Sequence, residues 1–382
     1  MSATRPLLVC VYLRGAADAL NLVVPYADDR YYALRPTLAV ARPDDPRAAA
    51  KDRAIDLDGR FGLHPSLAKL APLYGAGELA VVHAVGSDDA TRSHFEAQDR
   101  MEHAGPKDEP AAGGWIARHL DTRPGRRAAG LTAVAAGTSA PESLRGAPVA
   151  VLRSVDEYRL GKTEDAAFER ALAALYASRP SDGAPPLDAD LRTAGRDALA
   201  TLGRLRRIPE PSARGAAYPE GPLGDGLREI ARLSRADLGV EVACVDHDGW
   251  DTHFVEAQLL PDLARTLGDA LFAFREDIGD AMDRVVVVCM TEFGRRAYEN
   301  TSLGTDHGRG GIMFVLGGGV RGRRVITDWP GLAEDRLEPP GDLAVTIDFR
   351  EILAEIVRAR LGNPRVEEVF PKTRLRRWGL FG

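Results

Sequence analysis

Seven short runs along the chain are apolar at almost every position: LLVCVYL (7 to 13), LAVVHAV (79 to 85), LTAVAA (131 to 136), APVAVL (147 to 152), VEVACV (240 to 245), VVVVCM (285 to 290) and IMFVLG (312 to 317). A strand with one face in water alternates apolar and polar residues. Runs that are apolar on both faces predict parallel strands covered by helices on each side. The stretches between them read as helices: 94 to 104, 164 to 178, 191 to 207, 223 to 238 and 259 to 278. The alternation predicts an α/β fold, a mainly parallel sheet sandwiched between helices, forming a single domain over residues 1 to 382. Residues 154 to 235 break the rhythm with charged helical sequence and two Pro/Gly-rich loops, RPSDGAPP and RIPEPSARGAAYPEGPLG. They predict a helical insertion or cap over the sheet.

Composition narrows the range of functions. With 382 residues and 45% hydrophobic content the chain can bury a sizeable core. The 50 basic and 56 acidic residues, spread along the chain, give a net charge of -6 and no basic stripe, which argues against nucleic acid as partner. Cys10, Cys244 and Cys289 sit singly in apolar runs with no CxxC spacing, so they read as small buried hydrophobes. The first apolar run lacks a cleavage site, and no run approaches the roughly 20 residues of a membrane span. The expected compartment is the cytoplasm, with no membrane partner.

In α/β sheets ligands bind beyond the carboxyl ends of the strands, so the polar residues that follow each apolar run are the candidates for chemistry. RGAADALN supplies Arg14, Asp18 and Asn21; DATRSHFE supplies Thr91, Arg92, Ser93 and His94; DHDGWDTH supplies Asp246, Asp248, Asp251 and His253; TEFGRR and GTDHG supply Glu292, Asp306 and His307. In an extended WDTH segment, Asp251 and His253 point the same way, and a carboxylate with an imidazole suits zinc, manganese or iron better than calcium. Asp251 acting only as a helix cap is the plainer alternative. SHFE is a capping box, which accounts for Ser93 and Glu96 without catalysis. The same helix start also offers positive potential to a phosphate or sulfate, with Arg92 beside it. GGGVRG at 317 to 322 fits a glycine-rich fingerprint in form, but a β-branched stretch follows it, which excludes a dinucleotide site. His64, His83, His103 and His119 read as structural.

Taken in order, LRGAADALNLVVP, YYALRPTLAV, FGLHPSL, TRSHFEAQDRME, GGWIARHL, DGWDTH, TEFGR and GTDHGRGGIMFVLGGGVRG resemble the DUF1501 family, which in turn is similar to the alkaline phosphatase and sulfatase superfamily. The resemblance implies a metal-dependent hydrolase or transferase acting on a small anionic phosphate or sulfate ester. Ser93 is the implied nucleophile, with Thr91 as the lesser candidate and Arg92 balancing charge. Asp251, His253 and His307 are the implied ligands of one divalent metal, and Asp18 and Glu292 of a second; zinc or manganese is expected first, magnesium or calcium next. The sequence departs from the superfamily where Glu292-Phe293 replaces an Asp-His pair and where the spacing is Asp-x-His, which keeps Asp246, Asp248 and Asp306 open as substitutes. A non-catalytic metal- or ligand-binding protein on the same fold is the alternative.

Overall fold

The computed structural model describes residues 5–107, 111–125, 131–157, 166–177, 186–206, 208 and 216–382. Among the described residues twelve strands occur in this order: β1 (Leu7–Leu13), β2 (Val23–Val24), β3 (Ile55–Asp56), β4 (Gly62–Leu63), β5 (Leu79–Gly86), β6 (Ala133–Ala136), β7 (Ala150–Leu152), β8 (Val242–His247), β9 (Val285–Met290), β10 (Gly311–Gly317), β11 (Arg324–Ile326) and β12 (Ile347–Asp348). Nine build one sheet in the order β11-β5-β10-β9-β1-β8-β6-β7, with β12 also pairing with β5. β2, β4 and β3 form a small separate sheet.

All pairings in the large sheet are parallel except those of β10, which runs against both β5 and β9. The mainly parallel sheet is therefore as expected. The reversal of β10 matters for the site, because it puts the loop between β9 and β10 at the carboxyl end of the other strands.

Why each run is apolar throughout follows from how β1 divides its side chains. Leu7, Val9, Val11 and Leu13 pack on one face with Leu227 and Ile230 of helix Pro222–Arg235 and Leu267, Leu271 and Phe274 of helix Glu256–Ile278. Leu8, Cys10 and Tyr12 pack on the other with Trp115 and Ile116 of helix Trp115–Thr122 and with Ile352 and Leu353 of helix Phe349–Glu355. Each fully buried large apolar side chain contributes roughly 1.5–3 kcal/mol. A central strand gains this on both faces, and a polar residue at either set of positions would be buried without a partner.

Within the stretch 154 to 235, helix Pro222–Arg235 is part of the layer under the sheet, and Leu205 and Ile208 pack against Val134, Ala150 and Leu152 at the β6/β7 edge. Helices Ala166–Ala177 and Pro186–Leu205 supply the rest of the described insertion. The loop residues 179 to 185, 207 and 209 to 215 lie outside the described residues. Among the described residues no helix is long and apolar enough to cross a membrane. All three cysteines are free and buried, with Cys10 and Cys244 in register on neighbouring strands.

Candidate metal centre

Three loops and one helix start meet above the carboxyl ends of β9 and β1. Two close approaches make the meeting possible. At Gly15, φ is +114° and a Cβ would lie 2.5 Å from the backbone nitrogen of Asp251. At Gly294 a Cβ would lie 1.9 Å from the carbonyl oxygen of Gly310. A side chain at either position would push the loops apart.

Asp251 is the hub. Its Oδ1 accepts from Arg295 Nη2 at 2.6 Å and lies 3.0 Å from His307 Nε2 and 3.1 Å from His253 Nε2. Its Oδ2 lies 3.4 Å from His94 Nε2. The Nε2 atoms of His253 and His307 are 2.8 Å apart. His94, Asp251 and His307 each present a ligand atom within 4.8 Å of the other two.

The far side of each ring is anchored. His94 Nδ1 is 2.8 Å from Glu292 Oε1, His307 Nδ1 is 2.9 Å from the Arg92 carbonyl oxygen, and His253 Nδ1 is 3.5 Å from Asp306 Oδ1. A carbonyl and an ionised carboxylate only accept, so Nδ1 of His94 and of His307 carries a hydrogen, and Nε2 faces Asp251 as a donor in the protonated ring and as a lone pair in the neutral one. Metal-binding histidines are oriented by this same arrangement. Phe293, buried, stacks on His94 at 5.1 Å and 25° and lies 5.1 Å from the His307 ring, closing the floor.

The electrostatics favour a cation. Burial alone pushes the Asp251 carboxyl up, but hydrogen bonds from His307 and Arg295 outweigh it and hold it at about 2. Burial likewise acts against Glu292, and His94 and Gln98 outweigh it to give about 2. The Glu292 hydrogen bond raises His94, whereas burial lowers His307. The Nε2 atoms of His253 and His307, 2.8 Å apart, are at a favourable distance only with a proton or a metal ion between them. Three imidazoles and a carboxylate are a fitting donor set for zinc, manganese or iron.

Of the residues singled out from the sequence, Asp251, His253 and His307 come together here, and Glu292 stands behind His94. Its Oε1 is occupied by Gly15 N–H at 2.9 Å, Gln98 at 3.0 Å and His94, and its Oε2 by the Thr291 hydroxyl at 3.0 Å. Asp18 does not join the group. Both its oxygens bond the guanidinium of Arg35, with no exposure of either side chain, and Arg35 also donates to the carbonyls of Arg296 and Ala297. Asp246 is paired with Arg14 at 2.9 Å, and Asp306 with Asn300 at 3.1 Å. The Arg92 guanidinium turns to Asp342 and the Pro339 carbonyl, away from the histidines.

Ser93 is the N-cap of helix His94–His103, yet its side chain makes no capping bond. Thr91 Oγ1 bonds Glu96 instead, at 2.6 Å, and receives the Ser93 N–H at 3.3 Å. The capping box read in SHFE is thus not formed: Thr91 takes both the Glu96 carboxylate and the Ser93 N–H that it would have joined, leaving the Ser93 hydroxyl outside. Ser93 is bracketed by the Arg92 carbonyl that anchors His307 and by His94 itself. His94, named among the polar residues after the second apolar run, is the ligand-type residue to which the sequence reading gave no role. The available signal was an imidazole at the first helical position with Gln98 four residues on, the pair that shares Glu292.

No curated protein matches the chain. Residues 5–350, which include all the strands named above and end at the start of helix Phe349–Glu355, match the family described as "Protein of unknown function (DUF1501)", and the chain belongs to that family.

Proposed function

We propose that the chain is a divalent-metal-dependent hydrolase or transferase acting on a phosphate or sulfate ester, on an alkaline-phosphatase-like sheet, with the Ser93 hydroxyl as nucleophile. The observation that carries this reading is the convergence of three anchored Nε2 atoms on Asp251, with Ser93 next in sequence to His94 and to Arg92, whose carbonyl anchors His307. A metal held by His94, His253, His307 and Asp251 would supply Lewis acidity to a bound oxygen and lower the pKa of a nearby hydroxyl. The protein's own contribution is positioning. Arg295 fixes Asp251 by caging its guanidinium among the carbonyls of Gly15, Ala16, Trp250 and Thr305. Glu292 and the Arg92 carbonyl set the ring orientations, and the first-turn N–H groups of helix His94–His103 offer positive potential to a transferred anionic group.

The test is hydrolysis of an aryl phosphate and an aryl sulfate by protein reconstituted with zinc or manganese. Activity should need the metal and be lost in Ser93→Ala with metal content unchanged. Turnover equal in chelator-treated protein or in Ser93→Ala would sink this reading.

A second reading, a metal-binding protein without turnover, is favoured by one observation: Asp18 and Glu292 are both taken up internally, and Arg92 is paired with Asp342, so the donors expected for a second cation and for charge neutralisation are committed elsewhere. Stoichiometric metal with no hydrolysis of either ester would select it.

A further inference from the structure

The mouth of the histidine cluster is unexpectedly apolar. Eight large hydrophobic side chains are exposed among the described residues, and five of them belong to the loops and helix starts of this site: Phe95, Phe254, Val255, Leu259 and Leu303. Phe95 follows His94 and is 88% exposed; Phe254 follows His253 and is 66% exposed. The His94 and His307 rings are 4.3 Å apart and the His307 and His253 rings 4.5 Å, so one short row of imidazoles links the two phenylalanines.

The backbone that carries this rim is held in a disfavoured conformation. Val255 has φ 43° and ψ 43°, and Leu303 has φ 60°. A β-branched valine in the left-handed region is a rare outlier, and bulky residues are kept there only where surrounding bonds enforce it. Here they do: Val255 N–H donates to Ser302 O at 3.1 Å and Glu256 N–H to Leu303 O at 2.8 Å, joining the two loops side by side. Strained backbone that turns leucine and valine outward gives no packing energy to the folded chain. It does set Phe254, Val255 and Leu303 exposed on two loops paired side by side, with Leu259 exposed one turn into the following helix.

We infer that the substrate is an amphiphilic ester, whose anionic head reaches the Asp251 and histidine group and whose hydrocarbon body lies along Phe254, Val255 and Leu303, with Phe95 at the other end of the histidine row. This deepens the function proposed above and rests on it. An apolar surface continuous with a cation site suits a ligand with both characters. A small, fully hydrated phosphate or sulfate ester would leave the rim in water.

The experiment compares butyl phosphate with octyl phosphate, both below the micellar range, binding to the zinc-loaded full-length protein by calorimetry. Each buried methylene strengthens binding by up to about fourfold, so octyl should exceed butyl by at least roughly tenfold. In Phe254→Ser the octyl-to-butyl ratio should fall toward one. Leu303→Gly should lower the ratio as well while raising the thermal midpoint, because glycine relieves the positive φ; a merely structural role for Leu303 would not link those two effects. Leu191→Ser, on a distant helix and also exposed, should leave the ratio as in the wild type. Equal binding of both esters, or a ratio unchanged in both rim variants, overturns the inference and leaves the ester reading standing. Failure of both esters to bind overturns both readings. A wild-type dimer in sedimentation velocity that dissociates in Phe254→Ser would assign the rim to a second copy of the chain and overturn the inference.

Discussion

Replacing Asp18 by Asn tests whether this carboxylate supports the site or ligates a metal. Asp18 and Arg35 are fully buried, and the guanidinium is bonded through both carboxylate oxygens, one contact measuring 2.9 Å. Burial on its own raises the Asp18 carboxyl; the charge and hydrogen bonds of Arg35 outweigh it and hold the group below its ordinary value. Removing one partner of a buried pair costs about 3–5 kcal/mol. Two features place this case near the lower end, about 3 kcal/mol. Asn keeps one acceptor for Arg35, and Glu256, whose carboxyl burial and the Asp18 charge together push up, can take over as counter-anion once Asp18 is neutral. At a urea slope of about 3 kcal/mol/M the midpoint should drop by roughly 1 M. Because the folded-state value of Asp18 is depressed, its contribution is present above the unfolded value of about 3.9 and is lost as pH falls through the folded value. The deficit of Asp18→Asn should accordingly be largest near neutral pH and close at strongly acid pH. Urea titrations from pH 7 down to the most acid pH at which the wild type still folds, with zinc content measured on the pH 7 samples, make the check. Unchanged stability together with loss of zinc would refute the structural role and make Asp18 a ligand.

His94→Ala should weaken zinc binding by well over tenfold in calorimetry, since it removes one of four donors; an unchanged affinity would remove His94 from the set. Glu292→Gln keeps His94 but loses the charge behind it, and should cost about 10–100-fold in affinity with the one-to-one stoichiometry retained. Protons compete with the metal for three imidazoles, so zinc affinity should fall by more than about tenfold between pH 7.5 and pH 5.5, around and below the ordinary imidazole value of about 6.5; a flat profile would argue for carboxylate ligands alone.

The sheet was legible because its central strands are covered on both faces, and VVVVC and LLVCVYL can be little else. The short edge strands RVI and ID carry too few residues for a pattern, and the reversal of β10 leaves no trace in composition, since a strand buried on both faces reads alike in either direction. At the site, Asp251, His253 and His307 could be picked out because each follows or precedes an apolar run. Asp18 occupies the same kind of position, but its partner Arg35 lies 17 residues on, across a short helix and a turn that no local pattern predicts. His94 was hidden by its neighbours: SHFE is explained so well as a helix start that the serine drew attention. The expected box is broken by Thr91, two residues earlier, whose bond to Glu96 only the folded loop reveals.

The proposed function depends above all on one metal ion at the meeting point of His94, His253, His307 and Asp251. Anomalous diffraction from a zinc-soaked crystal measures it directly. The account predicts a full-occupancy peak about 2.0–2.2 Å from Nε2 of these histidines and from an Asp251 carboxylate oxygen. A peak at Asp18 and Glu292 with the histidine cluster empty, or no stoichiometric zinc at all, would contradict it.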